Sequence, residues 1–594
     1  MTTVSSGTPS DLPQRAEAAM LAAAVGDALG WPQENRSARV GGRRGVEPEL
    51  ELSEWRRREG GGYAPHEEVI PAGTYSDDTQ LILAIARSRL HGSDWWRYFT
   101  TVELPFWPLY QRGGGGATRR AASSWARGRA PWKDEKLLAG YFEAGGNGVA
   151  MRVLPHTVRD AECDDFDSAA RAIVADGIAT HGHPRALVGA LAYGYALWYA
   201  LRRTDTLAYG QLIDETLAAV GDWGRRPSVA WADESWEEVV SASAAASYES
   251  VWDTTVDEMH DLLNVARDGI SRGSLAVDRD TLERLGSLSG RSSGAGTVTA
   301  AAAIFIASRY AARPAQGLLA GAFARSADTD TIASMAGAIL GAVSGEEWLG
   351  RTLERLQDRA YLAVMARQLV DESTPLPAVD GVPQLTAAAL REFWRTIEES
   401  QQGGSLVLPD GRLGTLLRRV EHQTRSRTNR ITSWEVEVGD GQTISLKRTT
   451  RIKPEDAPAP SAAPSSARRY RIGVIIEVDD WEESLRFYRD FLRLDISKQS
   501  PRYVSFAGLL ALVPATSPRR EKSEQLTIRD ASEQFESPQV VTIFVTSSDL
   551  EELRSSITQS GIVVSPPGER EGRKMFRCLD PDGNVIELRE LNGT

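Results

Sequence analysis

Small and apolar residues recur at helical spacing along the first two-thirds of this 594-residue chain. The pattern is rich in alanine, and glycine and proline punctuate the joins between its segments. Strand-like and helix-like segments do not alternate there, which disfavours an α/β sheet. We therefore predict an all-α domain over residues 12–372. Its helices are predicted over 15–30, 78–91, 169–180, 185–202, 297–312 and 329–343.

The remainder of the chain reads as two further parts separated by a linker. Residues 374–453 predict a small α+β middle module with a short helix over 386–399 and strands over 433–438 and 443–448, joined by a Gly-Asp-Gly turn. The stretch PEDAPAPSAAPSSAR at 454–468 cannot build a core and is a linker. Over 469–591 a strand–helix–strands order occurs twice, which predicts a multidomain protein whose C-terminal α+β domain is of duplicated βαβββ type.

Composition excludes several classes of protein. The net charge of −13 argues against general nucleic-acid binding, which needs a basic surface. The first 14 residues lack a basic start and an apolar core, and the longest apolar run, 186–201, is shorter than the roughly 20 residues of a membrane span. We therefore expect a cytoplasmic protein without a membrane partner. Two cysteines far apart, Cys163 and Cys578, do not suggest a disulfide framework.

Carboxylates are grouped at two predicted helix starts, SDDT at 76–79 and SADTDT at 326–331. One reading is helix capping, because Ser, Thr and Asp are favoured at N-caps and acids suit the positive end of a helix. The other is a metal site, because packed carboxylates repel one another unless a cation joins them. Oxygen ligands without nearby cysteine indicate magnesium, manganese or calcium. The residues alone leave both readings open.

Four other features are candidates for the same site. Asp27, at the end of an apolar helix, is either a buried hydrogen-bond anchor or a catalytic group, and Glu34 follows on the loop that leaves that helix. The glycine-rich stretch 145–148 can bring backbone N–H groups close to a phosphate, or it is an ordinary turn. Arg152 would contact a phosphate or an acid. His181 would stack on a ligand or form a hydrogen bond, or it is structural.

In order along the chain, these segments resemble the ADP-ribosylglycohydrolase family, which includes dinitrogenase reductase-activating glycohydrolase. The matching strings are GDALGWPQE (26–34), SDDT (76–79), GNGVAMRVLP (146–155), THGHP (180–184) and ADTDT (327–331). The resemblance covers about 15–367. One departure is Ala327, where the family often has glycine, and this change should not remove a ligand.

The resemblance implies an all-α fold with two magnesium ions, or manganese, in a central cleft. It implies metal ligands at Ser76, Asp77, Asp78, Asp328, Asp330 and Thr331. It implies substrate contacts at Gly146, Asn147, Gly148, Met151 and His181. Glu34 and Asp78 are the candidate acid/base groups, and the sequence does not choose between them. Because the ligand set is complete, we expect an active enzyme.

The C-terminal part resembles the vicinal oxygen chelate superfamily of glyoxalases and bleomycin-resistance proteins. The matching strings are VDDWEESLRFYRDFLRL (478–494) and DPDGNVIELRE (580–590). The family's metal positions would fall near Gly473 and near Val541 or Thr542, and only Glu587 matches a usual ligand. We therefore expect this domain to bind a ligand or to pair into a dimer, and not to carry a working metal centre.

Together these features predict a magnesium-dependent hydrolase that removes ADP-ribose from an acceptor by cleaving the glycosidic bond at the distal ribose. The acceptor is an ADP-ribosylated protein, nucleic acid or small molecule, and the sequence does not select among them. The alternatives are a module that binds ADP-ribose without cleaving it and a small-molecule binding or resistance function in the C-terminal domain. We expect a mobile loop over 40–66 and an insertion with its own packing over 223–253.

Overall fold

The structure is a computed structural model that describes residues 11–34, 48–60, 65–242, 245–273, 277–290, 292–371, 385–422, 424 and 429–452. Beyond these it describes residues 564–567 and the strands and helices given below for the part between 474 and 590. The chain forms two compact units, Met1–Pro458 and Ala459–Thr594, and each is described by itself.

The first unit is mostly helical. Its α-helices span Leu12–Gly30, Asp77–Arg89, Trp95–Tyr98, Leu104–Phe106, Gly116–Trp125, Glu135–Phe142, Leu154–Arg159, Asp167–Ile178, Pro184–Arg202, Gln211–Ala218, Val220–Trp223, Glu234–Ala242, Ala245–Ser271, Asp278–Arg284, Gly296–Tyr310, Pro314–Ala322, Thr329–Ser344, Arg359–Val370 and Ala387–Glu399. Each helix predicted from spacing is present, with ends within a few residues of the expected positions. Within the described ranges, none of the helices combines the length and hydropathy that a membrane crossing requires.

Local sequence signals explain where the site-bearing helices begin. The helix Leu12–Gly30 follows Asp11, whose carboxylate accepts a hydrogen bond from the backbone N–H of Gln14 at 3.0 Å. The helix Asp77–Arg89 follows Ser76, whose hydroxyl accepts from the Asp78 N–H at 3.3 Å. Both helices are buried along most of their length, so they lie inside the unit and not on its surface.

The helices Leu12–Gly30 and Thr329–Ser344 approach each other at backbone distance. A Cβ atom placed on Gly26 or on Gly30 would lie 2.3 Å from a carbonyl oxygen of the facing helix, so only glycine fits at these positions. The Thr329 hydroxyl also donates to the Gly30 carbonyl at 2.9 Å. This crossing holds the end of one helix beside the acid-bearing start of the other.

The region predicted as a mobile loop contains a β-hairpin in its described part. Strand β1 (Trp55–Glu59) pairs antiparallel with β2 (His66–Ile70). In the sequence WRRRE, Trp55 and Arg57 are buried while Arg56 and Arg58 are exposed, which is the alternation of a strand. The alternation is not visible in the sequence because three consecutive residues are arginine. The expectation of a loop was therefore wrong for residues 55–59.

The tryptophan-rich segment 223–253 does not pack by itself. The rings of Trp223, Trp236 and Trp252 are almost fully buried and belong to the main hydrophobic core of the helical region. Each indole N–H has an acceptor, for example the Tyr141 hydroxyl at 2.9 Å from Trp236. The segment is part of the central core, which corrects the expected separate packing.

The middle module consists of the helix Ala387–Glu399 and an antiparallel sheet in the order β3-β4-β5-β6. The strands span Ser405–Val407, Leu413–His422, Asn429–Val438 and Thr443–Arg451. One face of the sheet is apolar, and Trp434 and Leu446 share a hydrophobic cluster with Leu81 and Phe106 of the helical region. The module therefore packs against the helical region through a common core.

The second unit contains two four-stranded sheets of the same construction. In the first, β7 (Val474–Val478) is followed by the helix Trp481–Arg486 and by three strands, and the sheet order is β7-β10-β9-β8. In the second, β11 (Val540–Val545) is followed by the helix Ser547–Gln559, and the order is β11-β14-β13-β12. The remaining strands are β8 (Ile496–Ser500), β9 (Tyr503–Phe506), β10 (Leu510–Pro514), β12 (Gly568–Arg570), β13 (Arg573–Leu579) and β14 (Val585–Glu590). In each sheet the first and last strands of the repeat are parallel neighbours.

Candidate active site at two acidic helix starts

Asp27 anchors the first acidic motif. Its carboxylate is fully buried and accepts hydrogen bonds from the backbone N–H of Ser76 at 2.9 Å and of Thr79 at 3.0 Å. The Thr79 hydroxyl donates a further bond at 2.6 Å. Of the two readings of Asp27, the structure favours the hydrogen-bond anchor, because these bonds hold the start of the helix Asp77–Arg89 against the end of the first helix.

The carboxylates of Asp77 and Asp78 are buried close to other acids. Burial, together with the nearby charges of Asp27, Glu34 and Asp328, raises the pKa of Asp77 to about 8. Burial and the charges of Asp27, Asp77 and Asp328 also raise the pKa of Asp78 well above its usual value. Both groups therefore resist carrying negative charge in the absence of a cation.

The second acidic motif meets the first. Asp330 is buried, and its pKa is raised by burial and by the charges of Glu34, Asp328 and Asp78. In the opposite direction, a hydrogen bond from the Thr331 side chain lowers the pKa of Asp78. Asp328 is half-buried at the cap of the helix Thr329–Ser344. The two helix starts, which are distant in sequence, therefore face one another.

Glu34 lies between the two motifs. It is half-buried after the 3₁₀ turn Trp31–Gln33, which continues the first helix beyond Gly30. Its charge raises the pKa of both Asp77 and Asp330, so it is near both helix starts. The turn thus carries Glu34 from the helix crossing to the acidic cluster.

We call Glu34, Asp77, Asp78, Asp328 and Asp330 the open acidic cluster. Asp78 Oδ1 is buried and has no hydrogen-bond partner among the described residues. Within the same described residues, no lysine or arginine forms an ion pair with the aspartates of the cluster, which are Asp77, Asp78, Asp328 and Asp330. Buried charges of one sign without a counter-ion are costly. A donor set of carboxylates and the hydroxyls of Ser76 and Thr331 fits magnesium, manganese or calcium.

The glycine-rich loop lies against the second motif. The Asn147 side-chain amide donates to Asp328 Oδ2 at 2.8 Å, and its backbone N–H donates to the Gly294 carbonyl at 3.0 Å. Gly146 forms an isolated β-bridge with Ala295. The loop therefore joins the residues before the helix Gly296–Tyr310 to the open acidic cluster.

His181 lies over the same loop. A Cβ atom on Gly148 would lie 2.9 Å from the His181 ring, so glycine is needed for the close approach of ring and backbone. The ring Nδ1 is 2.7 Å from the Thr180 hydroxyl. Burial and the charge of Arg152 lower the pKa of His181 to about 3, so the imidazole is neutral at physiological pH.

The side chains of Arg152 and Met151 are both buried among other residues of the fold. The Arg152 guanidinium is fully buried and donates to the Asp176 carboxylate at 3.0 Å, to the Gly148 carbonyl at 2.7 Å and to the Thr180 hydroxyl at 2.8 Å. The sequence predicted that Arg152 contacts either a phosphate or an acid. In the structure it contacts an acid, Asp176, which lies outside both acidic motifs. Met151 is buried in a hydrophobic cluster, and its role as a substrate contact stays a prediction.

A second group of acids lies on the hairpin, where Glu68 is buried and Glu59 is partly buried. Ligand atoms of Glu59, His66 and Glu68 all lie within 4.8 Å of one another, which is a spacing that can hold a metal. The Lys447 ammonium, however, forms ion pairs with both Glu59 and Glu68, the latter at 2.7 Å, and Arg57 lies 3.2 Å from Glu59. We call Glu59, Glu68 and Lys447 the closed cluster, because its cation is part of the chain.

Two features near the site were missed in the sequence. A glycine run at 113–116 packs beside the cluster, where a Cβ atom on Gly113 would lie 2.9 Å from Asp77 Oδ1. This run of four glycines is the sequence signal that could have identified the segment as part of the site. Asp358, in the left-handed region at φ 55°, accepts from the Tyr75 hydroxyl at 2.6 Å and from the Thr443 N–H at 3.0 Å. It links the residue before Ser76 to the middle module, and nothing in the sequence indicates this link.

In the second unit, the carboxylate of Glu587 forms ion pairs with two arginines of the same chain. Its buried carboxylate accepts from Arg577 at 3.0 Å and from Arg589 Nε at 3.0 Å. On the neighbouring strand Thr542 is the register partner of Glu587, and Gly473 lies outside the described residues. Glu587, the residue that the sequence matched to a usual ligand position, is thus engaged in ion pairs.

Comparisons with known proteins agree with both parts of the chain. A family model named ADP-ribosylglycohydrolase matches residues 8–377, and a model of the glyoxalase-like domain matches residues 472–591. No curated protein matches the chain.

Several solved structures are similar to parts of the chain. One described as an ADP-ribosylglycohydrolase-related protein complex is 22% identical, covering 61% of this chain and 99% of its own with a TM-score of 0.39. Lactoylglutathione lyase from Agrobacterium tumefaciens is 21% identical over 22% of this chain and 96% of its own, with a TM-score of 0.16. The fosfomycin resistance protein FosX from Listeria monocytogenes is 15% identical over 20% of this chain and 91% of its own, with a TM-score of 0.16.

The first family model spans more than half of the chain, and its range contains every residue of the open acidic cluster. The protein therefore belongs to the ADP-ribosylglycohydrolase family and carries a glyoxalase-like domain over residues 472–591.

Proposed function

We propose that this chain is a magnesium-dependent hydrolase that removes ADP-ribose from an acceptor by cleaving the glycosidic bond at the distal ribose. The observation that carries the proposal is the open acidic cluster, in which buried carboxylates from two distant helix starts have raised pKa values and no cation of the described chain as partner. Membership of the family supports the reaction class.

Ser76, Asp77, Asp78, Asp328, Asp330 and Thr331 are the residues that would hold two divalent ions. When bound, such ions supply positive charge that offsets the carboxylates and polarises oxygen atoms of a substrate. The buried oxygen of Asp78 that lacks a partner supports this assignment. Asp27 contributes indirectly, because its hydrogen bonds to the Ser76 and Thr79 backbone hold the first ligand segment in place.

The hydrolysis adds water across the glycosidic bond and yields free ADP-ribose and the unmodified acceptor. Glu34 or Asp78 would accept the proton of the attacking water, and the leaving group gains a proton. Because positive charge develops on the ribose as the bond breaks, the nearby carboxylates stabilise the transition state. Glu34 is the more accessible of the two, since Asp78 is almost fully buried.

The glycine-rich loop would bind the rest of the substrate. Gly146 and Gly148 leave room for a diphosphate near the backbone, and Asn147 orients Asp328 through its side-chain amide. His181, neutral and packed on Gly148, would contact the nucleotide.

The test is an assay of ADP-ribose release from substrates that differ only in the linkage: arginine, serine, acetyl ester and nucleic acid. We expect release from at least one substrate with magnesium and none with EDTA. Tight binding of ADP-ribose without release from any linkage would instead favour a non-cleaving module. The pairing of Glu587 with Arg577 and Arg589 gives no support to metal chemistry in the glyoxalase-like domain.

A further inference from the structure

A cavity of about 1270 Å³ lies between the hairpin β1–β2 and the sheet of the middle module. The family model ends at residue 377, so one wall of the cavity belongs to the family domain and the other lies outside it. Sites for small molecules typically have volumes of roughly 300–1,000 Å³. The cavity is therefore large for a single nucleotide sugar and has room for a macromolecular segment.

The module's sheet turns its polar face towards this cavity. On β5, Ser433 and Glu435 line the cavity, whereas the alternating residues Trp434 and Val436 are buried in the core shared with the helical region. On strand β6, Thr443 and Ser445 line the cavity in the same way, whereas Ile444 and Leu446 are buried. The hairpin faces this polar side of the sheet across the cavity, which is open to solvent at its rim, where Arg58 and Glu67 are exposed.

Two residues that line the cavity belong to segments that also carry or contact the open acidic cluster. Thr74 lines it and precedes the cap residue Ser76 by two positions. Arg112 also lines it and precedes Gly113, which packs against Asp77 Oδ1. An acceptor segment bound in the cavity would therefore lie next to the segments that carry the cluster.

The charges of the cavity favour a polypeptide over a nucleic acid. Six carboxylates and four arginines line it, and Lys447 pairs with two of those carboxylates, Glu59 and Glu68, so charges of both signs remain. Such a mixed lining is not the uniformly basic surface that phosphate groups require, and it suits the charged side chains of a polypeptide. Ion pairs at its rim, such as Arg58 with Glu67 at 2.8 Å, have side chains that are 67% and 50% exposed. Exposed pairs contribute little stability, so their members can exchange partners with charged side chains of a bound segment.

Resting on the function proposed above, we propose that this cavity binds the polypeptide segment that flanks an ADP-ribosylated side chain. The sheet β3–β6 is then the element that selects protein acceptors, and the family domain supplies the cleavage. Small conjugates of ADP-ribose need only the open acidic cluster and the glycine-rich loop.

The test compares two substrates in the linkage that the wild type cleaves: ADP-ribose on a mixed-charge peptide, and ADP-ribose on the single amino acid. Ser445→Trp and Val69→Trp fill the cavity from its two walls. Val407→Trp is the matched control, because Val407 is 60% exposed on β3 and does not line the cavity. We expect each cavity variant to lower kcat/KM for the peptide about tenfold or more, mainly through KM. The single-amino-acid substrate and the control variant should stay within about twofold of wild type.

Equal loss on both substrates, or no loss on either, would overturn the proposal while leaving the proposed function intact. A wild type that cleaves an ADP-ribosylated oligonucleotide and not the peptide would also overturn it. Failure of the wild type on every substrate would refute the proposed function itself. Thermal melting of each variant checks the fold, and if one cavity variant does not fold, the other carries the test.

Discussion

The first unit contains two groups of buried carboxylates that differ in how their charge is balanced. In the closed cluster, Lys447 bridges Glu59 and Glu68, and although burial opposes ionisation, the charges of Arg57 and Lys447 hold the pKa of Glu59 at about 2. In the open cluster, burial and neighbouring acids raise the pKa of Asp77 to about 8. Carboxylates that are partly or fully shielded from solvent therefore have opposite pKa shifts in the two clusters, because only one cluster contains cations of the chain.

This difference separates an acid group that cations of the chain neutralise from one for which the described residues supply no such cation. Carboxylates that are paired with a cation of the same chain need nothing further, and they join the hairpin to the module. Carboxylates that meet without such a cation destabilise the folded chain unless something positive binds. The spacing of ligand atoms alone would have selected Glu59, His66 and Glu68 as the metal site. Charge balance favours the open cluster instead.

The largest expected effect is on activity. Asp328→Asn removes one charge from the open cluster while keeping its shape, and we expect ADP-ribose release to fall by at least about 100-fold and magnesium affinity to fall with it. The matched control is Asp160→Asn, a buried aspartate that pairs with Arg89 away from the cluster. The control should stay within about twofold of wild type. Full turnover of wild type in EDTA would contradict the role assigned to the cluster.

The next effect is on stability. Lys447→Met removes the cation of the closed cluster and leaves two partly buried carboxylates facing each other, so we expect a loss of about 3 kcal/mol in the free energy of unfolding. Arg58→Ala, which breaks only the exposed pair with Glu67, should cost no more than about 0.5 kcal/mol. Urea unfolding measures both, and equal losses would show that burial does not distinguish the two pairs.

The third prediction uses pH to separate the clusters. In metal-free protein Asp77 holds a proton when folded and loses it when unfolded between about pH 4 and pH 8, so this group makes stability fall as pH rises. Glu59 acts with the opposite sign, and its contribution is lost only as pH falls from about 4.5 to about 2.

We expect wild type in EDTA to lose about 2 kcal/mol or more between pH 5 and pH 8. Asp77→Asn should reduce that slope, Asp78 and Asp330, whose pKa values are also raised, should maintain the remainder, and saturating magnesium should remove the slope from wild type. A slope that persists unchanged in Asp77→Asn would show that other groups cause it.

The smallest effect concerns the helix crossing that brings the open cluster together. Gly30→Ala places a Cβ atom 2.3 Å from the Thr329 carbonyl, so we expect a loss of about 1–2 kcal/mol in stability together with weaker magnesium binding. Gly140→Ala is the matched control, because a Cβ atom there meets nothing within 4 Å and alanine favours its helix. Unfolding in urea and metal titration should therefore separate the two variants.

Much of the helical region and of the open cluster followed from the sequence because their signals are local. Helical spacing indicated the helices, and paired acids after a serine marked both helix starts. The closed cluster did not follow, because Lys447 reaches Glu59 across 388 positions of the chain and only the fold brings them together. Likewise Met151 sits inside a motif of the family but packs in the core, since a motif does not state which side chain points inward.

Binding of manganese to the purified protein tests the central distinction most directly. Titration of wild type, Asp328→Asn and Glu68→Gln should show tight binding to wild type and to Glu68→Gln, and a marked loss in Asp328→Asn. Loss of binding in Glu68→Gln with full binding in Asp328→Asn would place the metal on the hairpin and contradict the account.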